Sequence, residues 1–392
     1  MAALPDGGAV VVGRFDGRLE IGGTRIASAG AGDGFALAAA ADGSVRWVVP
    51  LAGAGDGELA AVAADGHGAI AVAGAAAGAT SLGEARAQPI GQPGALVARL
   101  DAEGRAVWVQ TIAGSDYALA TAVAFTAAGD VVAAGYYAGT LDPGGDALHA
   151  AGALDVWVAL LRGGDGSIAW LHRAGGPAAD VAQAVAVDAS GLIAVGGAFG
   201  AWADFAGTRL DAEDDAGDGF VALVEERGFA GALQLHGPGG AVARGLTGFA
   251  GGGLGVAIAF DGQLAVGHDR ATSEQETGGA AIRVAPGGEV AWMVPSVADN
   301  ATFEGVAARG GDLVMAGSAG GDLLLDVIDG ARGRERGARR LGSREGNEAA
   351  HAVAASAQAI YLAGAVAGAF DLGAEHGTSA GDSDGFLLRL RP

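Results

Sequence analysis

The chain has 392 residues, 51% of them hydrophobic, with 74 glycines, only 10 prolines and no cysteine, and a formal net charge of −22 at pH 7. Without cysteine there are no disulfide staples, no thiol chemistry and no Cys-ligated zinc. All 23 basic residues are arginine, so a P-loop lysine, a kinase β3 lysine and a Schiff base are excluded as well.

An acidic surface repels phosphate backbones and anionic headgroups, so nucleic acid is not expected as a partner, and neither is a membrane surface. The same charge keeps an apolar-rich chain dispersed. Glycine without a G-x-y period is not collagen, and 17% charged residues is too few for a disordered chain. Met1 to Gly8 carry no basic segment and no apolar run. No signal peptide and no integral membrane segment are therefore read from this sequence, which leaves room for a domain cut from an exported precursor.

Taken in chain order, the elements repeat. After a stub at Ala2 to Leu4, the first unit has an apolar run ending in Gly13, a long connection, Asp33-Gly34-Phe35, and a turn at Gly43 leading to Trp47. The second brings Ala61-Val62-Ala63, a run ending in Gly74, Ala95-Leu96-Val97, and Gly104 to Trp108. The third has Ala122-Val123-Ala124, a run ending in Gly135, Asp155-Val156-Trp157, and Gly166 to Trp170. The fourth keeps Ala184 to Val187, Gly196 and Asp218-Gly219-Phe220 but has Leu233 and Leu235 where a Trp is due. The fifth has Val256-Ala257, Ala280-Ala281-Ile282, and Gly288 to Trp292. The sixth has a run ending in Gly317, Leu323-Leu324-Leu325, and a degenerate, arginine-rich version near Arg339-Arg340-Leu341. The seventh has Ala352-Val353-Ala354, a run ending in Gly364, and Asp384-Gly385-Phe386.

Gly13, Gly74, Gly135 and Gly196 are spaced at intervals of 61 residues. Short Val/Ala-rich runs bounded by Asp-Gly and Gly-Gly are strands and hairpin turns. Four such strands at a long fixed period predict an all-β β-propeller of about seven blades, each of four antiparallel strands. Small residues suit the crowded innermost strand, and the recurring Trp47, Trp108, Trp170 and Trp292 fill the widening gap between outer strands. The expected organisation is a single domain over residues 1–392, with incomplete first and last blades. Six blades plus an incomplete one is the alternative count.

The compound pattern resembles the seven-bladed SBBP-type repeat proteins of bacterial surfaces. It is carried by 184–188 (Ala-Val-Ala-Val-Asp), Val195 to Phe199, Asp218 to Leu223 and Asp101 to Trp108, with the connection Phe15 to Gly30. The resemblance implies a propeller in an extracellular, cell-surface or periplasmic setting, and no reaction. The Asp-x-x-Gly-x-x-x-Trp element at Asp101 to Trp108 is also similar to the tryptophan docking motif of quinoprotein-type propellers. This chain departs from the quinoprotein enzymes in having neither a vicinal cysteine pair nor a lysine to contact a quinone.

Candidate sites are few. Asp56, Asp116, Asp180 and Asp299, with Asn347 in the corresponding place, recur before the first strand of a unit. One reading is an acidic rim binding a cation such as calcium or a basic partner; the other is that each side chain bonds its own turn. Gly377 to Gly381 matches G-x-S-x-G, but no helix follows it, and Ser28-Ala29-Gly30 marks Ser379 as a repeat loop residue. Asp382 to Gly385 begins like an EF-hand loop without its twelfth-position Glu. The seven histidines are scattered without H-E-x-x-H spacing. The sialidase Asp box, Ser-x-Asp-x-Gly-x-x-Trp, differs in spacing from the turns here.

No catalytic constellation and no cofactor are assigned. The expected function is that of a monomeric, non-enzymatic binding or scaffold propeller recognising a protein or a polymer such as a polysaccharide. The alternative is a quinoprotein-like oxidoreductase or a hydrolase with its site at the axial mouth.

Overall fold

The computed structural model describes residues 1–87, 90–298, 300–342, 347–373, 376–379 and 383–390. Every regular element among them is a β-strand, and the strands form a seven-bladed β-propeller of small antiparallel sheets. Contacts divide the chain into two compact units. The first is Met1–Val185, Trp202–Arg209 and Glu226–Phe229; the second is Ala186–Ala201, Leu210–Glu225 and Ala230–Pro392.

In the first unit, the first blade is Ala2–Ala3, Ala9–Phe15, Asp33–Ala39 and Val45–Gly53, with the predicted stub as its first strand. The second is Gly57–Ala64, Ile70–Gly78, Ile90–Leu100 and Ala106–Gly114, and the third is Tyr117–Phe125, Val131–Ala138, Asp155–Leu161 and Ile168–Ala174. The division falls within the fourth repeat, whose Ile193–Phe199 and Asp218–Glu225 pair in the second unit. The fifth blade is Ala241–Gly248, Leu254–Val266, Asp269–Val284 and Val290–Pro295. The sixth is Ala301–Arg309, Asp312–Ala319, Asp322–Asp329 and Arg334–Leu341. The seventh has three strands among the described residues, Asn347–Ala355, Ile360–Ala367 and Asp384–Leu390.

The period-two alternation of these strands buries both faces. In the third strand of the second blade, Leu96, Ala98 and Leu100 join the core shared with Val10, Ala36 and Ala38 of the first blade. The intervening Ala95 and Val97 join Val131, Ala133 and Trp157 of the third. A blade alone would leave both of these surfaces wet, at a cost of about 25 cal/mol per Å² of apolar area, so the repeat needs its neighbours.

The spaced glycines have a geometric cause. In four blades the first strand carries a β-bulge beside the glycine of the second strand: Leu59/Ala61 at Gly74, Ala120/Ala122 at Gly135, Phe303/Gly305 at Gly317 and Ala350/Ala352 at Gly364. A Cβ built at these glycines falls within 1.8 to 1.9 Å of a first-strand carbonyl oxygen. The bulge brings backbone where a side chain would stand, and only glycine leaves room. The fifth blade makes its bulge opposite Ile258, so glycine is the usual solution to this packing and not the obligatory one.

Small hairpins in the connection between second and third strands reach back to the preceding blade. Leu82 of the second blade pairs with Leu51 of the first, and Asp142 of the third pairs with Ala113 of the second. Asp204 bridges Gly175 in the first unit, and Ala265 bridges His236 in the second. Ser28 clamps the first of these connections by accepting the Gly17 N–H at 3.0 Å, and Ser379 accepts the Gly368 N–H at 3.0 Å in the same way. The serine of the G-x-S-x-G match is thus a hairpin clamp between strands; Ala380 and Gly381 lie outside the described residues.

Candidate binding surfaces

The recurring acids before the first strands occupy different environments. Asp56 is exposed and 3.7 Å from Arg14, Asp116 is exposed on a bend, and Asp180 is fully buried, its Oδ2 accepting the Gly176 N–H at 2.6 Å. Asn347 opens the first strand of the seventh blade. Asp299 and Asp382 lie outside the described residues. Asp56 stands three residues before Leu59, the partner of Gly74, whereas Asp116 stands four before Ala120, the partner of Gly135. That one-residue difference alternates the side a residue faces. Among the described residues no three His, Asp or Glu side chains gather as a metal-ligand group.

A second acid, at the head of the third strand, explains the Asp-Gly-Phe motif. Asp33 and Asp155 are buried, and each accepts the N–H of the residue four before it, Ala29 at 2.6 Å and Ala151 at 2.9 Å. Arg173 adds a charged bond to Asp155 at 2.6 Å. Burial, followed by the Asp155 charge, pushes the nearby Tyr137 hydroxyl up to about 12. Asp218 takes the Gln234 amide at 2.6 Å, and burial raises its carboxyl above the usual range. These are structural anchors that tie a loop to its blade.

Two concavities lie within the first unit. At the crossover ends of the strands, Arg14, Asp56, Glu58 and Tyr117 line a cavity of about 220 Å³. The Tyr117 and Tyr136 rings are 6.0 Å apart, and burial raises both hydroxyls above their ordinary value. At the turn ends, a groove of about 680 Å³ runs between the turns 65–69, 100–103 and 126–129. Its charged groups are largely committed: Asp65 caps the His67 and Ala69 N–H groups, and Asp101 bonds Glu103, Arg105 and the Arg105 guanidinium.

The second unit presents a surface of opposite sign to the whole chain. Five of the 23 basic residues fall between Arg332 and Arg340, and the strand Arg334–Leu341 is exposed along nearly its whole length. Arg336 pairs with Asp312 at 2.9 Å and Asp329 at 3.1 Å, and Arg332 stands 3.6 Å from Asp329. Arg334, Arg339 and Arg340 make no ion pair among the described residues. Beside this strand is a groove of about 290 Å³ walled by Leu325, Val327, Ile360 and Leu390, with Arg309 and Arg339 at its rim. In sequence the arginines stand as a degenerate repeat end; their density against a net charge of −22 is the signal that marks the exposed strand.

The described fold is that of a seven-bladed, all-β propeller, and no helix among the described residues is long and apolar enough to cross a membrane. No protein-family model matches the chain, and no curated protein matches it. Among solved structures it is similar to a quinohemoprotein alcohol dehydrogenase from Pseudomonas putida HK5, at 10% identity and TM-score 0.42 over 84% of this chain. The chain spans 59% of the length of that dehydrogenase. It is also similar to the Kuenenia stuttgartiensis hydrazine synthase, at 10% identity and TM-score 0.47, covering 86% of this chain and 90% of that one. Apo AztD from Citrobacter koseri is similar at 10% identity and TM-score 0.37, covering 97% and 98%. No activity or ligand is carried over from these three.

Proposed function

We propose that this chain is a non-enzymatic binding propeller that recognises an acidic protein partner through the arginine-bearing flank of its sixth blade. The observation that carries the reading is the trio Arg334, Arg339 and Arg340, exposed and without ion-pair partners among the described residues, on a chain of net charge −22. Cations left unpaired while acids abound draw in a complementary surface, and guanidinium groups suit carboxylates because they bind them in a bidentate fork. The non-enzymatic part is supported by the state of the groups that sequence reading weighed for chemistry. Ser379 is held as a hairpin clamp, and Asp180 is spent on the Gly176 N–H. The reading keeps the exported or surface-exposed setting that the SBBP-type resemblance implies.

The test is fluorescence anisotropy of a dye-labelled octaglutamate peptide at about 20 mM and about 300 mM salt, since surface charge attraction is screened over about 10 Å at 0.1 M. Binding should weaken with salt and fall by about tenfold or more in the triple variant Arg334→Glu, Arg339→Glu, Arg340→Glu. Equal binding by the variant, or none by the parent chain at low salt, would overturn the proposal.

A further inference from the structure

The four recurrent tryptophans share one register. Trp47 opposes Ala38, Trp108 opposes Arg99, Trp170 opposes Leu160 and Trp292 opposes Arg283, each beside the bulge that ends the pairing of third and fourth strands. From that place the indole reaches the next blade. Trp47 donates to the Ala102 carbonyl, Trp108 to Gly163 and Trp292 to Gly330, each at 3.0 Å. The rings cover the glycines of the same turns: a Cβ at Gly104, Gly166 or Gly333 would fall 2.6 to 2.7 Å from the indole.

In the sixth blade the residue at this register is Gly337, opposite Val327 and beside the bulge between Val327 and Ile328. A Cβ added there meets nothing within 4 Å. The groove of about 290 Å³ therefore stands at the register from which an indole reaches the next blade in the first, second and fifth blades. Its walls remain apolar, with Leu325, Val327, Ile360 and Leu390 lining it.

We infer that this groove seats an aromatic side chain carried by an extended acidic segment of a partner protein. The inference rests on the binding reading above and adds the anchor that reading lacks. The walls supply the apolar contact that an aromatic ring requires, and a central aromatic in a pocket ringed by polar groups is the common form of a binding hot spot. Arg339 opposes Leu325 at the rim, placed to lie over a ring and to meet carboxylates flanking it. The same chain stacks guanidinium on aromatic faces elsewhere, with Arg283 at 3.6 Å from the Phe249 centroid and Arg209 at 4.3 Å from that of Trp202. Arg309 is tied to the Ser356 and Ala357 carbonyls, and Arg336 to Asp312 and Asp329. Those ties hold the frame in place and leave Arg339, on the groove's face of the sheet, to the partner's acids, with Arg334 and Arg340 exposed on the same strand.

The experiment uses two dye-labelled peptides, Asp-Val-Glu-Trp-Glu-Val-Asp and the same peptide with Ala for Trp, against the full chain and its Gly337→Trp and Gly337→Leu variants. Both variants place a side chain into open space, and circular dichroism checks that each folds. The Trp peptide should bind about tenfold or more tighter than the Ala peptide. Gly337→Trp should erase that difference, and Gly337→Leu should shrink it, while the Ala peptide binds all three proteins alike. Equal affinity for the two peptides, or a difference that survives both variants, overturns the inference while leaving the charge-based reading standing. If neither peptide binds the parent chain, the charge-based reading itself fails and this inference falls with it.

Discussion

Replacing Trp108 by Ala removes an interblade bolt, and the structure gives the size of the loss. The side chain is 8% exposed, its ring lies on Gly166 and its N–H reaches the Gly163 carbonyl at 3.0 Å. Truncating a buried Trp costs about 3–5 kcal/mol. The Gly163 carbonyl also accepts the Arg99 guanidinium at 3.0 Å, so no buried acceptor is orphaned, which places Trp108→Ala at the low end, about 3 kcal/mol. Trp108→Phe keeps much of the packing and loses the bond, and should cost about 1 kcal/mol. The neighbouring Val107 is 49% exposed, so Val107→Ala serves as a control worth about 0.5 kcal/mol or less. Native-state hydrogen exchange read on peptides from the second and third blades reports the local free energy without assuming that both compact units unfold together. A Trp108→Ala cost below about 1 kcal/mol, or one equal to that of Val107→Ala, would refute the bolt.

Asp326 is 2% exposed, and burial, followed by the Glu335 charge, pushes its carboxyl from 3.8 up to about 7. Between those pH values the folded chain holds a proton that the unfolded chain has released, so this group's contribution to stability declines as pH rises from about 4 through 7. Asp326→Asn should therefore gain stability relative to the parent as pH goes from about 4 to 8, with a ceiling of about 4 kcal/mol at about 1.4 kcal/mol per pH unit; urea unfolding at the two pH values reads it, and a gain that is flat with pH would contradict the assignment. Gly135→Ala forces a methyl group to within 1.9 Å of the Leu119 carbonyl oxygen, and should cost about 1–3 kcal/mol or more in thermal unfolding. Gly164→Ala, which meets nothing within 4 Å, should be near neutral by the same measurement. Arg173→Met leaves the fully buried Asp155 without its cation, and should lose about 2–3 kcal/mol in denaturant titration while Asp155 keeps its bond to Ala151.

Much of the fold was legible because its signals are local. Gly74, Gly135, Gly317 and Gly364 recur because a bulged first strand crowds the same point in each of their blades, and a close backbone approach leaves its mark as a glycine. The tryptophans share one register, from which Trp47, Trp108 and Trp292 reach the next blade. The latching hairpins were not legible, since Leu82 meeting Leu51 or Asp142 meeting Ala113 is a contact with the preceding blade that no periodicity encodes. The acids before the first strands looked equivalent in sequence, yet Asp180 is buried and bonded to the Gly176 N–H while Asp56 faces water, a difference of local environment that spacing does not encode. The sixth blade's surface was half visible. Its arginines stood out, but that Gly337 holds the tryptophan register depends on where the bulge falls, and the bulge is set by strand pairing.

The account stands most directly on where an acidic, aromatic-bearing peptide shields the chain. Hydrogen–deuterium exchange of the full chain with saturating Asp-Val-Glu-Trp-Glu-Val-Asp should show slowed exchange in Arg334–Leu341 and Asp384–Leu390, the two strands that border the Gly337 groove. Slowed exchange confined to the segments around Arg14, Asp56 and Tyr117, with Arg334–Leu341 unchanged, would place recognition at the crossover cavity and contradict it.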